Sequence, residues 1–169
     1  MTIPKEEYAP FYETYIKRIP QEVPILDALS TTFEELKLFL KGLDQEKLDF
    51  AYESGKWSIA EVIQHCIDVE RLMASRALKI ARGEQKALPS FDENDYAAAA
   101  NVEGRKIEDF IEEWELLRKS NILMFKSFDP EALKKKTVVW THESSTRALL
   151  GVIIGHALHH KHVLEERYL

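Results

Sequence analysis

Three histidines have the residue type, spacing and surroundings of metal ligands. His156 and His160 are four residues apart in a helical segment, so their imidazoles project from one face about 6 Å apart along the axis. Apolar residues extend that face, which predicts that both rings point into the core, where an unpaired polar group is costly. His65 shares the apolar face of an earlier helix and is the natural third ligand if the two faces meet.

Three imidazoles predict a divalent-metal site with an open coordination position, since structural zinc usually has four protein ligands and catalytic zinc has three. Imidazole suits zinc and nickel and also accepts copper or iron. His159 competes as a ligand, because a pair with His156 also has helical ligand spacing. His142, in a predicted loop, and His162, rotated about 120° from His156, fit less well. The plainest alternative is a helical dimerisation module with hydrogen-bonded core histidines.

Two further side chains are weak candidates for assisting the metal. Asp68 follows His65 by three residues and could orient an imidazole or hold a metal-bound water, although a solvated carboxylate is the simpler interpretation. Arg76 lies on the face of His65 three turns on and could anchor an anionic substrate, although an interhelical ion pair is simpler. Trp57 and Trp140 are interpreted as packing helix ends. Exposed loop carboxylates are predicted at Asp92, Glu93 and Asp95.

Four amphipathic helices must position these side chains, and no segment shows sustained two-residue alternation with turn signals, so the predicted class is all-α. The second helix has the clearest start, because Ser58 and Glu61 form an S-x-x-E capping box. The predicted ranges are Pro24 to Leu43, Ser58 to Gly83, Lys106 to Phe128, and Ser145 to the C-terminus.

The connections between the helices permit more than one bundle topology. The segment from Gly83 to Gly104 is longer than the roughly 10 extended residues that can return along a helix of this length. It can therefore be a crossover that lets the second and third helices run parallel. The loops at 44–57 and 129–144 are also long enough, so loop length alone leaves the topology open.

Composition bounds the class of protein. A chain of 169 residues with 45% hydrophobic residues predicts one domain covering residues 1–169. The net charge of −6 argues against a nucleic-acid partner, because such binding needs clustered Lys and Arg. We expect a cytoplasmic protein, since the N-terminal residues lack a secretory signal, no stretch is long enough for a membrane span, and the single Cys66 cannot form an intramolecular disulfide. The expected partner is a small-molecule substrate, which suits a metal site with an open coordination position.

Several motifs together resemble the DinB/YfiT-like superfamily of metal-dependent enzymes. The resemblance covers most of the chain, and its most specific part is the G-H-x-x-H-H ending. The motifs are Gly55-Lys56-Trp57-Ser58-Ile59 with His65, Asp68-Val69-Glu70-Arg71, Phe91-Asp92-Glu93 with Tyr96, and Gly155-His156-Ala157-Leu158-His159-His160.

That resemblance implies a four-helix bundle with up-down-down-up connectivity and a long crossover, residues 83–104, between helices 2 and 3. It also implies a homodimer and a metal site at His65, His156 and His160. Members are described as hydrolases or as thiol S-transferases, and the latter would use a low-molecular-weight thiol as cosubstrate. The alternative is a non-catalytic metal-binding or small-molecule-binding bundle, associated with stress, in which the site serves stability or sensing.

Overall fold

The computed structural model describes residues 2–169, in which four long helices form a bundle. The helices are α1 (Glu13–Ile16), α2 (Ile25–Lys41), α3 (Ile59–Ala81), α4 (Glu93–Ala99), α5 (Ile107–Lys126), α6 (Pro130–Lys134) and α7 (Thr146–Arg167). The strands are β1 (Lys136–Val139) and β2 (His142–Ser145), which pair antiparallel. In the bundle, α3 packs against α7 and α5, and α2 packs against the same two helices. The predicted four-helix bundle is confirmed.

Local sequence signals set the starts of the two helices that matter most for function. The Ser58 amide donates to a Glu61 carboxylate oxygen at 2.7 Å, and the Glu61 amide donates to the Ser58 hydroxyl at 3.2 Å, which completes the predicted capping box. Ser145 caps α7 by accepting a hydrogen bond from the Ala148 amide at 3.0 Å. Because these bonds span only three residues, the sequence locates both starts to within one residue.

The two long connections contain structure that the sequence-based interpretation missed. The crossover carries α4, and Asp92 caps it by accepting hydrogen bonds from the Asn94 and Asp95 amides at 2.8 and 3.3 Å. The predicted loop at 129–144 holds α6 and most of the hairpin, and His142 is the exposed first residue of β2. Strands of four residues are too short to give a clear alternation.

A short N-terminal segment lies directly on α7. A methyl group at Gly155 would come within 2.0 Å of the Tyr15 carbonyl oxygen, so only glycine permits this approach. Glu7 ties the segment down, because its carboxylate accepts hydrogen bonds from the Ser145 hydroxyl at 2.8 Å and from the guanidinium of Arg147 at 2.6 Å. The segment therefore covers the helix that carries two of the three histidines.

A buried ionic network joins α3 to α5. Glu70 and Arg118 are both almost fully buried and form a two-point ion pair with distances of 2.7 and 2.8 Å. The Trp114 indole and the Asn121 amide donate to the same carboxylate at 2.7 and 3.0 Å. Arg118 also donates to the Leu29 carbonyl on α2 at 2.8 Å, so three helices are fixed in register. Within residues 2–169, no helix combines the length and apolar composition that a bilayer crossing requires.

Candidate metal centre

Packing of α3 against α7 brings the three predicted ligands together. The candidate ligand nitrogens of His65, His156 and His160 all lie within 4.8 Å of one another. The Nε2 atoms of His65 and His156 are 3.1 Å apart, and these residues are separated by 91 positions in the chain. His65 and His156 are buried, with 8% and 5% of their surface exposed, and His160 is half-buried.

The donor set fits a zinc-type ion. Zinc–nitrogen bonds of roughly 2.0–2.1 Å with tetrahedral angles place two ligand nitrogens about 3.3 Å apart. The 3.1 Å contact between the two Nε2 atoms is close to this separation, and it is also the length of a hydrogen bond between two neutral imidazoles. The Nδ1 atoms of His160 and of the competing His159 are both buried and have no hydrogen-bond partner among the described residues. Such an unsatisfied buried nitrogen is costly in a purely structural cluster. The identity of the ligands stays a prediction that metal analysis tests.

The three imidazoles are electrically neutral at physiological pH. Burial lowers the pKa of His65 to about 4. Burial, with smaller contributions from His65 and His159, lowers the pKa of His160 to about 3. Burial and the neighbouring histidines hold the pKa of His156 well below its ordinary value. A cation can therefore use the lone pairs without displacing protons.

The other histidines lie outside the cluster. His159 packs its ring 5.4 Å from the Tyr15 ring, and burial followed by the nearby Arg18 charge lowers its pKa. It lines the same cavity, but its nitrogens do not join the group of three. His142 is exposed on β2, and His162 lies 3.2 Å from Glu166 on the outer face of α7.

A cavity of about 630 Å³ adjoins the histidine cluster. This volume is suited to a small molecule. A third of the residues that line the cavity are phenylalanine, tyrosine or tryptophan, and the ring of one of them, Trp57, lies 4.7 Å from the His65 ring. The aromatic residues of the wall are Phe11, Tyr12, Tyr15, Trp57, Phe91 and Trp140. Trp57 and Trp140 thus line the cavity, whereas the sequence was interpreted as placing them at helix ends.

The polar residues of the cavity are only partly those considered from sequence. Arg76 lines it, and no carboxylate of the described chain pairs with that guanidinium. Asp68 does not line it: its carboxylate accepts a hydrogen bond from Gln64 at 2.9 Å and lies 3.6 Å from Arg71. Asp92 and Glu93 also line the cavity. From sequence these two residues were predicted only as exposed loop carboxylates. Their position at the cavity depends on the path of the crossover, which no local pattern specifies.

Comparisons with known proteins identify the family and the fold. The sequence profile of the DinB superfamily matches residues 28–164. Among solved structures, YfiT from Bacillus subtilis superposes with a TM-score of 0.73 and 19% sequence identity, over 98% of this chain and 94% of that chain. YfiT is described as a probable metal-dependent hydrolase with an unusual four-helix bundle topology. At this identity the likeness shows the fold alone. No curated protein matches the sequence.

Proposed function

Since this chain belongs to the DinB superfamily, we propose that it is a metal-dependent hydrolase in which His65, His156 and His160 hold one divalent ion beside the cavity. The observation that carries the proposal is the convergence of three neutral, inward-facing imidazoles at the wall of a cavity large enough for a substrate. Zinc and nickel are the ions that we expect, because both suit imidazole ligands.

The number of protein ligands supports catalysis over a structural role. A divalent ion with three imidazoles and an open position lowers the pKa of a bound water and polarises a substrate oxygen. A purely structural site would usually have a fourth protein ligand and no adjoining cavity.

Cavity side chains supply the remaining functions of the proposed site. The aromatic walls bind apolar parts of a substrate. Glu93 is the carboxylate that we assign to proton transfer. Glu93 lines the same cavity as Tyr15. The Tyr15 ring in turn packs 5.1 Å from the His156 ring.

Metal analysis of protein purified without a histidine tag tests the site directly. We expect one ion per chain, which should be lost in His65→Ala and His160→Ala because two imidazoles hold an ion weakly. Exposed His142→Ala is the matched control and should keep its metal. Comparing the metal content of His159→Ala with that of His160→Ala decides which of these two histidines is the third ligand beside His65 and His156. A wild-type protein that retains no added zinc or nickel would refute the proposal.

An activity screen tests the reaction. Esters, amides and phosphoesters should be cleaved by the loaded protein, and a chelator should abolish turnover until metal is restored. Glu93→Gln should lower kcat while metal content stays constant, because the assigned proton acceptor is lost. Metal loading without turnover of any substrate would favour the non-catalytic alternative.

Thiol S-transfer is the second candidate, because a cavity of about 630 Å³ has room for a cosubstrate beside the substrate. In this reaction the sulfur of a low-molecular-weight thiol forms a bond to an electrophilic carbon, whose leaving group departs, and the thiol proton passes to solvent. Incubation of the loaded protein with cysteine or glutathione and 1-chloro-2,4-dinitrobenzene tests this. A conjugate formed above the uncatalysed rate favours transfer over hydrolysis.

A further inference from the structure

Arg76 is a half-buried cation that has no carboxylate partner. Five arginines are buried or half-buried in the described chain, and three of them contact a carboxylate. The paired arginines are Arg105, Arg118 and Arg147. Of the unpaired two, Arg76 lines the cavity and Arg18 does not. A partly desolvated charge without a counter-charge is costly, and this cost indicates a ligand that supplies the missing anion.

The guanidinium of Arg76 is held in place and still has free donors. One nitrogen donates to the Pro89 carbonyl at 2.5 Å, and the group packs 5.3 Å above the Phe91 ring. The other terminal nitrogen contacts the Met73 sulfur at 3.7 Å, which is a weak acceptor. Neither the carbonyl oxygen nor the sulfur neutralises the positive charge. A guanidinium carries five N–H donors in a planar fork, so donors remain for two-point binding of a carboxylate or phosphate.

One face of α3 runs from the histidine cluster to Arg76. His65, Val69, Met73 and Arg76 follow at steps of four, four and three residues, and all four line the cavity. A rise of 1.5 Å per residue separates the first and last Cα atoms by about 16 Å. The long Arg76 side chain reaches back toward the cluster, since its Nη1 atom lies 3.7 Å from the Met73 sulfur one turn earlier, so its charge is closer to the histidines than its Cα atom is. Val69 and Met73 form an apolar floor between them.

Trp140 forms part of the wall at the tip of the β1–β2 hairpin. Its backbone has a φ of 57°, a region that a bulky residue adopts at a cost in free energy. The turn is held there by a hydrogen bond from the Trp140 amide to the Leu88 carbonyl at 2.8 Å. The side chain is 58% exposed, and its ring lies 6.5 Å from the Phe11 ring. A strained and exposed tryptophan at a cavity is suited to stacking on an apolar substrate.

We infer that the cavity binds an elongated anionic substrate, and this inference rests on the proposed function. Arg76 binds the carboxylate or phosphate group of the substrate. The apolar middle lies on Val69 and Met73 against the aromatic wall, and the reacting bond lies at the histidine cluster. Asp92 and Glu93 also line the cavity, but their side chains are exposed, so water screens their repulsion of an anion.

Linear hydroxamic acids with different far ends test this inference. The hydroxamate binds the metal, and the apolar chain ends in a carboxylate, a phosphonate or a neutral methyl ester. Titration calorimetry with zinc-loaded protein should show the better of the two acids binding about tenfold or more tightly than the ester. Tighter binding of the carboxylate probe indicates a carboxylate substrate, and tighter binding of the phosphonate probe indicates a phosphate substrate. Arg76→Gln should abolish the preference for an acid. The control is Arg82→Gln, which changes an exposed arginine just after the end of α3 and should retain the preference.

The outcomes separate this inference from the proposed metal site. Equal binding of acid and ester by wild type, or a preference that survives in Arg76→Gln, overturns the role of Arg76 while hydroxamate binding still supports the metal. If no hydroxamate binds the zinc-loaded protein, the open coordination position beside the cavity is refuted. Binding of 6-phenylhexanoate and of 6-phenylhexanol to the metal-free protein, followed by tryptophan fluorescence in the presence of a chelator, then tests Arg76 separately. The carboxylate should bind more tightly, and equal affinity for the two overturns the inference. If Arg76→Gln does not fold, Arg76→Lys replaces it, and it should weaken the preference because lysine lacks the planar fork.

Discussion

The metal-free protein should lose stability as the pH falls from 8 to 5, because its three clustered histidines are buried in the neutral form. The unfolded chain takes up a proton at each histidine near the ordinary pKa of 6.5, whereas the pKa values of folded His65 and His160 are about 4 and 3. The unfolded state therefore binds more protons between these limits, and stability rises with pH across the window. Well above pH 6.5 these histidines are neutral in both states and do not affect stability, and the penalty grows as the pH falls from 6.5 toward the folded pKa values.

The size of the effect follows from the same shifts. At pH 5 each histidine is 1.5 pH units below its unfolded pKa, and at about 1.36 kcal/mol per unit this costs about 2 kcal/mol. At pH 5 folded His65 and His160 are still almost unprotonated, because this pH lies above their folded pKa values. Only the unfolded state gains free energy from proton binding, so the unfolded pKa sets the size of the cost. Together these two residues should lower the free energy of unfolding by about 4 kcal/mol, and His156 acts in the same direction.

Urea denaturation in a chelator at pH values from 5 to 8 measures this dependence. His65→Gln and His160→Gln should each reduce the loss of stability over the range by about 2 kcal/mol, because glutamine does not titrate. The control is His142→Gln, whose side chain is exposed in the folded state as well as the unfolded. If the two cluster variants keep the full wild-type dependence, the reasoning from burial is wrong.

Three substitutions test other parts of the structure. Gly155→Ala should cost about 1–3 kcal/mol and loosen the N-terminal segment, because the new methyl group overlaps the Tyr15 carbonyl oxygen; unchanged urea denaturation and proteolysis would contradict this. Glu70→Gln should cost about 3–5 kcal/mol, since it leaves the buried Arg118 without a counter-charge, and a wild-type urea midpoint would refute it. Trp140→Gly should keep the free energy of unfolding or raise it by up to about 1 kcal/mol, because glycine relieves the positive φ, and it should weaken 6-phenylhexanoate binding measured by calorimetry. A large loss of stability would show that the indole is structural.

The sequence by itself determined the elements that depend on near neighbours. The four long helices follow from an apolar repeat, and the start of α3 follows from a capping box that spans three residues. The pairing of His156 with His160 on one face is likewise set by helix geometry, which needs no tertiary contact. These features were predictable because the interacting groups are adjacent in the chain.

Only the tertiary structure decided which distant groups meet. His65 reaches His156 because α3 packs against α7, and this depends on many weak contacts between whole helix faces. The same packing, together with the paths of the crossover and the hairpin, places Glu93 and Trp140 in the cavity and leaves Arg76 without a carboxylate. No local pattern specifies those paths, since a loop of a given length can close in many ways at nearly equal cost in entropy.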